Sequence, residues 1–485
     1  MSRNDVKLTV CMIARDEEAN LPRALESVRG LADEIVVVDT GSTDGTREVA
    51  SSFGARVIEH PWNDDFAEAK NVALENAGGD YILFLDADEY VSPESRDEIL
   101  AAITGDADAY FVRIESDVKS AAGRIFVNLL QRLFRNDSRI RYEGAVHEQV
   151  HTSLLRMKAR VEPSAIVLKH SGYGLRPAEF RAKLERNLRI LNKVLDEHPG
   201  DAMSLFHLGE MHAMLGEYET AVGDYERAIR SGRLPHEVLP VAKQNLGASL
   251  IKTGRYEEAM RTLREAQEMN PGLLSIHTLL GSALFGLRKY ERAEQEIMMY
   301  VSKAQNPAKT ADPLLGFKAD IPSAMVLIAK CRLALGDIDR ARDVLKDAVA
   351  RDADLVDAHI LLGKIAFEKM EFPRAVSSYE KALELMPNEE RLYFELSRSY
   401  MAAGATDKAR EAIERALGDG IVSAGLLRCL GLIRVKQEDF DGAISAYEKV
   451  LGLMPDDDEA RKRLAGLYHM IGKDDIAREY LTICK

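Results

Sequence analysis

Two carboxylates stand at the mouth of an apolar run. In DYILFLDADEY, the segment Tyr81–Leu85 leads into Asp86, Ala87 and Asp88. Acids at i and i+2 beyond a buried strand suit a hard divalent cation. Mg2+ or Mn2+ takes oxygen ligands and is often shared with substrate phosphates rather than caged by protein. A cation there would neutralise a leaving diphosphate as a Lewis acid. The alternative is a solvated turn, because Asp-x-Asp alone is common. Its context favours chemistry. A second acidic strand end lies upstream in EIVVVDTGSTDGT, which starts at Glu34. There Asp39 could accept a hydrogen bond from a pyrimidine N–H or from ribose hydroxyls. Gly41 would let a ligand approach the backbone, and Asp44 either N-caps the next helix or serves the ligand. No GxxxxGK[ST] occurs at this position, which excludes a P-loop.

The elements that must position these acids follow from the apolar pattern. Leu8–Ala14, Glu34–Asp39, Arg56–Glu59 and Tyr81–Leu85 read as short buried strands. Ala19–Leu31, Asp44–Phe53 and Phe66–Ala77 read as helices between them. The alternation predicts an α/β, Rossmann-like domain with a largely parallel sheet covered on both faces. Ligands on such sheets bind beyond the carboxyl ends of the strands. Arg15-Asp16-Glu17, Asp39 to Ser42 and Asp86 to Asp88 all fall at that edge.

Beyond residue 200 the pattern changes to helices only. Ala329, Gly363, Ser397, Gly431 and Ala465 recur every 34 residues, and each is followed twelve positions later by an alanine, Ala341 to Ala477. Gly209, Gly247 and Gly281 start earlier copies. Pro271, Pro387 and Pro455 close units. This period resembles the tetratricopeptide repeat, an all-α solenoid of helix pairs, with about eight units of which the last is partial. A Pro- and Gly-rich insertion, AQNPAKTADPLLGFKAD, stretches one boundary and reads as a surface loop or part of a binding surface. The expected domains are residues 1–175, a linking helix over 176–200, and repeats over 201–485. The helix carries an apolar stripe of Leu184, Leu188, Leu191 and Leu195, which should cap the repeats and dock the first domain.

A net charge of −14 over 485 residues argues against nucleic acid as the main partner, since a phosphate backbone calls for a basic face. The four cysteines lack CxxC or histidine spacing, which argues against a disulfide scaffold and a cysteine zinc site. MSRNDVKLTV has no apolar stretch behind a basic start, and no run is long enough to span a membrane. The expectation is a soluble, cytoplasmic protein.

Four pieces carry a more specific resemblance: CMIARDEE, EIVVVDTGSTDGT, FAEAKNVAL and YILFLDADE, in that order over residues 8–91. Together they resemble a family 2 glycosyltransferase with the glycosyltransferase A-type fold. The resemblance implies a nucleotide-sugar donor, in all expectation a UDP-sugar. It implies that Glu17, Asp39 and Lys70 line the nucleoside pocket, joined on the donor side by Ala14, Arg15 and Asp86. It also implies that Asp86 and Asp88 bind the metal–diphosphate, with His170, in VLKHSGYG, as a further metal ligand or a structural histidine. Family members commonly carry arginine where Lys70 stands; the alternative for Lys70 is a solvated helix residue.

LLQRLFRNDSRIRYEGAVHEQV, starting at Leu129, has the flavour of a subgroup with an Arg-Leu-Phe stretch and a later Gly-x-x-His-Glu. An inverting transfer needs a base for the acceptor proton. Glu148 is the candidate, given enough burial to raise its pKa, and His147 the alternative. A structural salt bridge is the competing role for Glu148. Arg132 and Arg135 could meet diphosphate oxygens or surface acids, and Trp62 could stack on a sugar or pack in a core. Helix-pair repeats present peptides, which suggests a protein or peptide acceptor held by the repeats. The competing readings are an envelope glycan acceptor, an inactive interaction scaffold, and repeats used for homo-oligomerisation.

Overall fold

The computed structural model describes residues 6–117, 125–170, 177–305 and 320–482. The repeat insertion beyond residue 305, the start of the linking helix at Arg176, and Cys484 lie outside the described residues. The chain forms two compact units, Met1–Asp320 and Ile321–Lys485.

The first unit opens with β1 (Leu8–Ala14), α1 (Leu21–Val28), β2 (Glu34–Asp39), α2 (Thr46–Ser52), β3 (Arg56–Glu59), α3 (Phe66–Glu75) and β4 (Tyr81–Phe84). Next come β5 (Glu89–Val91), α4 (Ser95–Ile103), β6 (Ala109–Asp117), β7 (Ile125–Arg135), α5 (His151–Met157) and β8 (Val161–His170). β1 runs parallel to both β2 and β4, with Ala14 opposite Asp39 and Cys11 opposite Phe84. The carboxyl ends of three strands therefore share one edge.

Alternate residues of β1 serve two layers, as a two-residue side-chain period requires. Leu8, Val10 and Met12 pack with Leu21, Leu25 and Val28 of α1. Cys11 packs with Ala67, Ala73 and Leu74 of α3 on the opposite face.

The four strands that the alternation predicts, β1 to β4, are parallel as expected, and the strands added after them make the whole sheet mixed. The eight strands run β3-β2-β1-β4-β7-β6-β8-β5, and the pairs β4–β7, β6–β7 and β5–β8 are antiparallel. Apolar runs reveal buried strands but not their directions. Direction follows from the connections: only residues 118–124 separate β6 from β7, too few for a parallel crossover.

The linking helix α6 (Pro177–Glu197) buries Leu184, Leu191 and Leu195. These share one core with α7 (Ala202–Met214), α8 (Tyr218–Arg230) and Val146 of the sheet domain; Trp62 and Phe66 pack on its margin. Two further helix pairs complete this unit: α9 (Val238–Lys252) with α10 (Tyr256–Met269), and α11 (Ser275–Gly286) with α12 (Tyr290–Ala304).

The second unit holds five pairs: α13 (Ile321–Ala334) and α14 (Ile338–Arg351), α15 (Val356–Glu368) and α16 (Phe372–Leu385), α17 (Glu390–Ala402) and α18 (Thr406–Gly418), α19 (Ala424–Lys436) and α20 (Phe440–Leu453), and α21 (Asp458–Met470) and α22 (Asp474–Thr482).

The 34-residue period has a steric cause. A methyl group added at Gly209 would stand 2.7 Å from the Tyr225 ring, at Gly363 2.9 Å from Tyr379, and at Gly431 2.7 Å from Tyr447. At Gly247 and Gly281 it would meet Leu263 and Ile297. The first helix of a pair must present a small residue where the second inserts a large one. The alanines twelve positions on, Ala221, Ala259, Ala293, Ala341, Ala375, Ala409 and Ala443, are fully buried for the same reason.

Candidate active site

The loops beyond β1 and β2 are stitched together by acids that accept backbone N–H bonds. Asp16, with φ 55°, accepts from Thr43 N at 2.7 Å, while its own N–H donates to Ser42 Oγ. Glu17 N donates to Thr46 Oγ1, and Gly45 N donates to Glu18. Asp44 stands one residue before the N-cap of α2 rather than at it, yet it accepts the N–H of Thr46 and of Glu18.

Asp39 is buried. It accepts from Gly41 N and Ser42 N at 3.2 to 3.3 Å and lies 3.9 Å from Arg47 Nε. Gly41, with φ 102°, allows that tight return of the chain. The Ala14 carbonyl accepts from Thr40 N, and Arg15 next to it is exposed. Burial raises the pKa of Glu17; Asn20 opposes this, and the charges of Asp88, Asp44 and Asp16 add to it. Glu17 thus shares a negative field with Asp88, just beyond β4.

Behind this rim lies a buried ionic cluster. Lys70, on α3, is 2% exposed, so it is not a solvated helix residue. Its ammonium bridges Asp86 Oδ1 at 3.0 Å and Glu148 Oε1 at 2.7 Å, and it lies 4.7 Å from the Phe84 ring centroid. Arg132, also buried, contacts Asp86 Oδ2 at 2.5 Å and Glu89 Oε1 at 3.5 Å. Burial works against the charge on Asp86, but Arg132 and Lys70 outweigh it and hold the carboxyl far below the usual range. Burial likewise works against the Lys70 charge, and Asp86 and Glu148 overcome it. Two atoms of this cluster, Arg132 Nε and Tyr142 Oη, are buried with no hydrogen-bond partner.

Arg132 reaches Asp86, and Arg135 does not, because of strand register. β7 runs antiparallel to β4 with Leu83 opposite Leu133 and Tyr81 opposite Arg135. Arg132 therefore falls beyond Leu83, near the carboxyl end of β4. Arg135 falls at the amino end, 3.7 Å from Asp108.

Glu148 reaches Lys70 because its loop is clamped to α3. Asn71 Nδ2 donates to the Tyr142 carbonyl at 3.0 Å and Asn71 Oδ1 accepts from Tyr142 N at 2.9 Å. Phe66 N donates to the Ala145 carbonyl. His147 takes a left-handed conformation, φ 57°, and its ring lies 4.5 Å from that of His207 on α7. Glu148 and His147 therefore point to different partners.

The turn from β4 to β5 returns Asp88 toward β8. Asp86 N donates to Glu89, and Glu89 stands opposite His170 in the β5–β8 pair. His170 Nε2 lies 3.1 Å from Asp88 Oδ2. Burial works against protonation of His170, but the Asp88 carboxylate outweighs it and raises the pKa above the ordinary value.

Three contributions were not read from the sequence. Glu89 is a buried partner of Arg132; its place directly after Asp-x-Asp was the available signal. Asn71 clamps the loop, and no sequence signal marks it. Arg186, on α6, packs 5.1 Å from the Phe66 ring. Burial pulls its pKa down first, then the charges of Arg189 and Arg15, while Glu148 opposes. Trp62 packs 4.7 Å from Phe66 and donates to Asp64 at 2.9 Å.

Residues 9–160 match the model of glycosyl transferase family 2. Tetratricopeptide-repeat models match 183–234, 241–272, 326–390, 366–420 and 434–482. Among curated proteins, a TPR repeat-containing protein of Synechococcus elongatus is 37% identical over 210 residues, 42% of this chain and 51% of that protein. An uncharacterized glycosyltransferase of Rickettsia typhi is 41% identical over 93 residues, 19% of this chain and 32% of that protein. The SPbeta prophage-derived glycosyltransferase SunS of Bacillus subtilis is 26% identical over 220 residues, 44% of this chain and 51% of that protein. The chain spans about half the length of the first and last of these relatives and about a third of the other.

Proposed function

We propose that this chain, which carries a family 2 glycosyltransferase domain followed by tetratricopeptide repeats, is an inverting glycosyltransferase. It moves a sugar from a nucleotide-diphosphate donor, taken to be a UDP-sugar, to a protein or peptide acceptor presented by the repeats. The observation that carries this reading is one cluster at the sheet rim, in which Lys70 joins Asp86 of the Asp-x-Asp turn to Glu148.

The carboxylates of the Asp-x-Asp turn suit Mn2+ or Mg2+. Asp88 Oδ2 and His170 Nε2 stand 3.1 Å apart, and Asp86 meets Lys70 and Arg132. On this reading Asp88, with His170 as a further ligand, would hold the cation, and Asp86 would be the anchor that Lys70 and Arg132 hold. When bound, the cation supplies charge neutralisation for the diphosphate. Ala14, Arg15, Glu17 and Asp39 line the nucleoside side of the rim.

Transfer forms a bond from the acceptor atom to the anomeric carbon as the bond to the diphosphate breaks, and the nucleoside diphosphate leaves with that electron pair. The acceptor proton passes to Glu148, which Lys70 orients. His147 is turned toward α7 and is not assigned this task. Arg186 adds positive charge from α6 on the side of Arg15 and Glu148.

Thermal shift of the full chain against UDP-sugars, with and without Mn2+, tests the reading. A ligand at a hundredfold excess over its Kd stabilises the folded state by about 2.7 kcal/mol. The expected result is a rise in Tm that needs both sugar nucleotide and Mn2+ and is absent in Asp88→Ala. A screen in which no nucleotide sugar raises Tm refutes it.

A further inference from the structure

Away from the sheet rim, the first unit brings together two imidazoles and a carboxylate from segments about sixty residues apart. His147 lies in the loop before α5; His207 and Glu210 lie one turn apart on α7. Their candidate ligand atoms all fall within 4.8 Å of one another. His207 Nδ1 is 2.9 Å from Glu210 Oε2, and the His147 and His207 rings lie 4.5 Å apart at an interplanar angle of 30°.

We propose that His147, His207 and Glu210 form a second, zinc-class metal site that fastens the Glu148-bearing loop to the first repeat helix. Two imidazoles and a carboxylate are a borderline-soft donor set, of the kind that binds Zn2+ with one position left for water. Donors around a tetrahedral Zn2+ ion at about 2.0–2.1 Å stand roughly 3.3 Å from one another. The three ligand atoms would have to draw closer than they stand here to reach that spacing.

Two surrounding features fit a metal site better than a plain ion pair. Asn245 Nδ2 lies 3.5 Å from Glu210 Oε1, so the second carboxylate oxygen has an outer partner, as metal-bound carboxylates do. His147 adopts a left-handed backbone that a non-glycine residue rarely takes, and this turns its ring toward α7. Cysteine spacing could not have revealed this site, because it uses none.

The site does not depend on the transferase reading, and its test is designed accordingly. Metal-free full-length Asp88→Asn, which lacks the rim ligand, is titrated with Zn2+ by calorimetry. One Zn2+ per chain should bind. Adding His207→Ala, or His147→Gly, should weaken that binding at least tenfold, since losing even an outer partner of a metal ligand costs about 10–100-fold. Glycine accepts the left-handed backbone at 147, so His147→Gly removes the ring without new strain, and circular dichroism checks each fold. With Co2+ in place of Zn2+, a visible absorption band should appear in the parent and vanish in both variants. No Zn2+ binding in the parent overturns the proposal. So does full affinity in either histidine variant, because the site requires ligands from both segments.

Discussion

Lys70→Met is the sharpest probe of the buried cluster. The lysine is the element that joins Asp86 to Glu148, and methionine keeps most of its volume while deleting the charge. Removing one partner of a buried ion pair costs about 3–5 kcal/mol, because the other charge stays buried. Here Arg132 still holds Asp86, and the Glu148 side chain, 13% exposed, can recruit water. The lower end, about 3 kcal/mol, is therefore expected. With a urea slope of about 3 kcal/mol/M, the midpoint should fall by about 1 M. Trp62 is the single tryptophan and lies in the first unit, so its fluorescence reports the relevant transition.

The pH dependence follows from the signs. The Asp86 pKa is depressed on folding, so its contribution is present above the ordinary aspartate range and is lost only as pH falls through the lower folded value. The Lys70 pKa is raised, so its contribution is present below the ordinary lysine value and is lost as pH climbs through the higher folded one. The gap between wild type and Lys70→Met should thus be flat between about pH 5 and pH 9 and close outside that window. An unchanged midpoint, or a gap that varies across neutral pH, would refute the bridging role.

Three further perturbations separate base, loop and repeat packing. Glu148→Gln should cut kcat for transfer by about 10²–10⁴-fold, the usual worth of a general base, while donor binding by calorimetry stays intact; near-wild-type turnover would place the base elsewhere. Asn71→Ala removes both clamps on Tyr142 and should lower kcat more than it changes donor affinity, with equal losses in both arguing for a plain folding defect. Gly431→Ala sets a methyl 2.7 Å from the buried Tyr447 ring and should destabilise the second unit by about 1–3 kcal/mol in helical circular dichroism, despite the better helix propensity of alanine.

The repeats were legible in the sequence because their register is local and steric. Each glycine faces a large residue sixteen positions later in its own helix pair, so a linear period records a three-dimensional contact. The strand ends bearing Asp39 and Asp86 were legible for a similar reason: buried parallel strands are apolar runs, and polar residues mark where they leave the sheet. α6 showed its leucine stripe but not Arg186, whose setting depends on Phe66, more than a hundred residues earlier.

Residue types and spacing alone determined an α/β domain with acids at one rim, helix-pair repeats after it, and a short roster of groups able to do chemistry. Tertiary structure alone decided which of those groups meet. The antiparallel register of β7 sends Arg132 to Asp86 and Arg135 away from it, and the Asn71 clamp delivers Glu148 to a lysine that helical periodicity could not place inside. Desolvation is the physical reason: whether a charge lies in water or against another charge depends on chain segments distant in sequence, and no local pattern encodes which of them arrive.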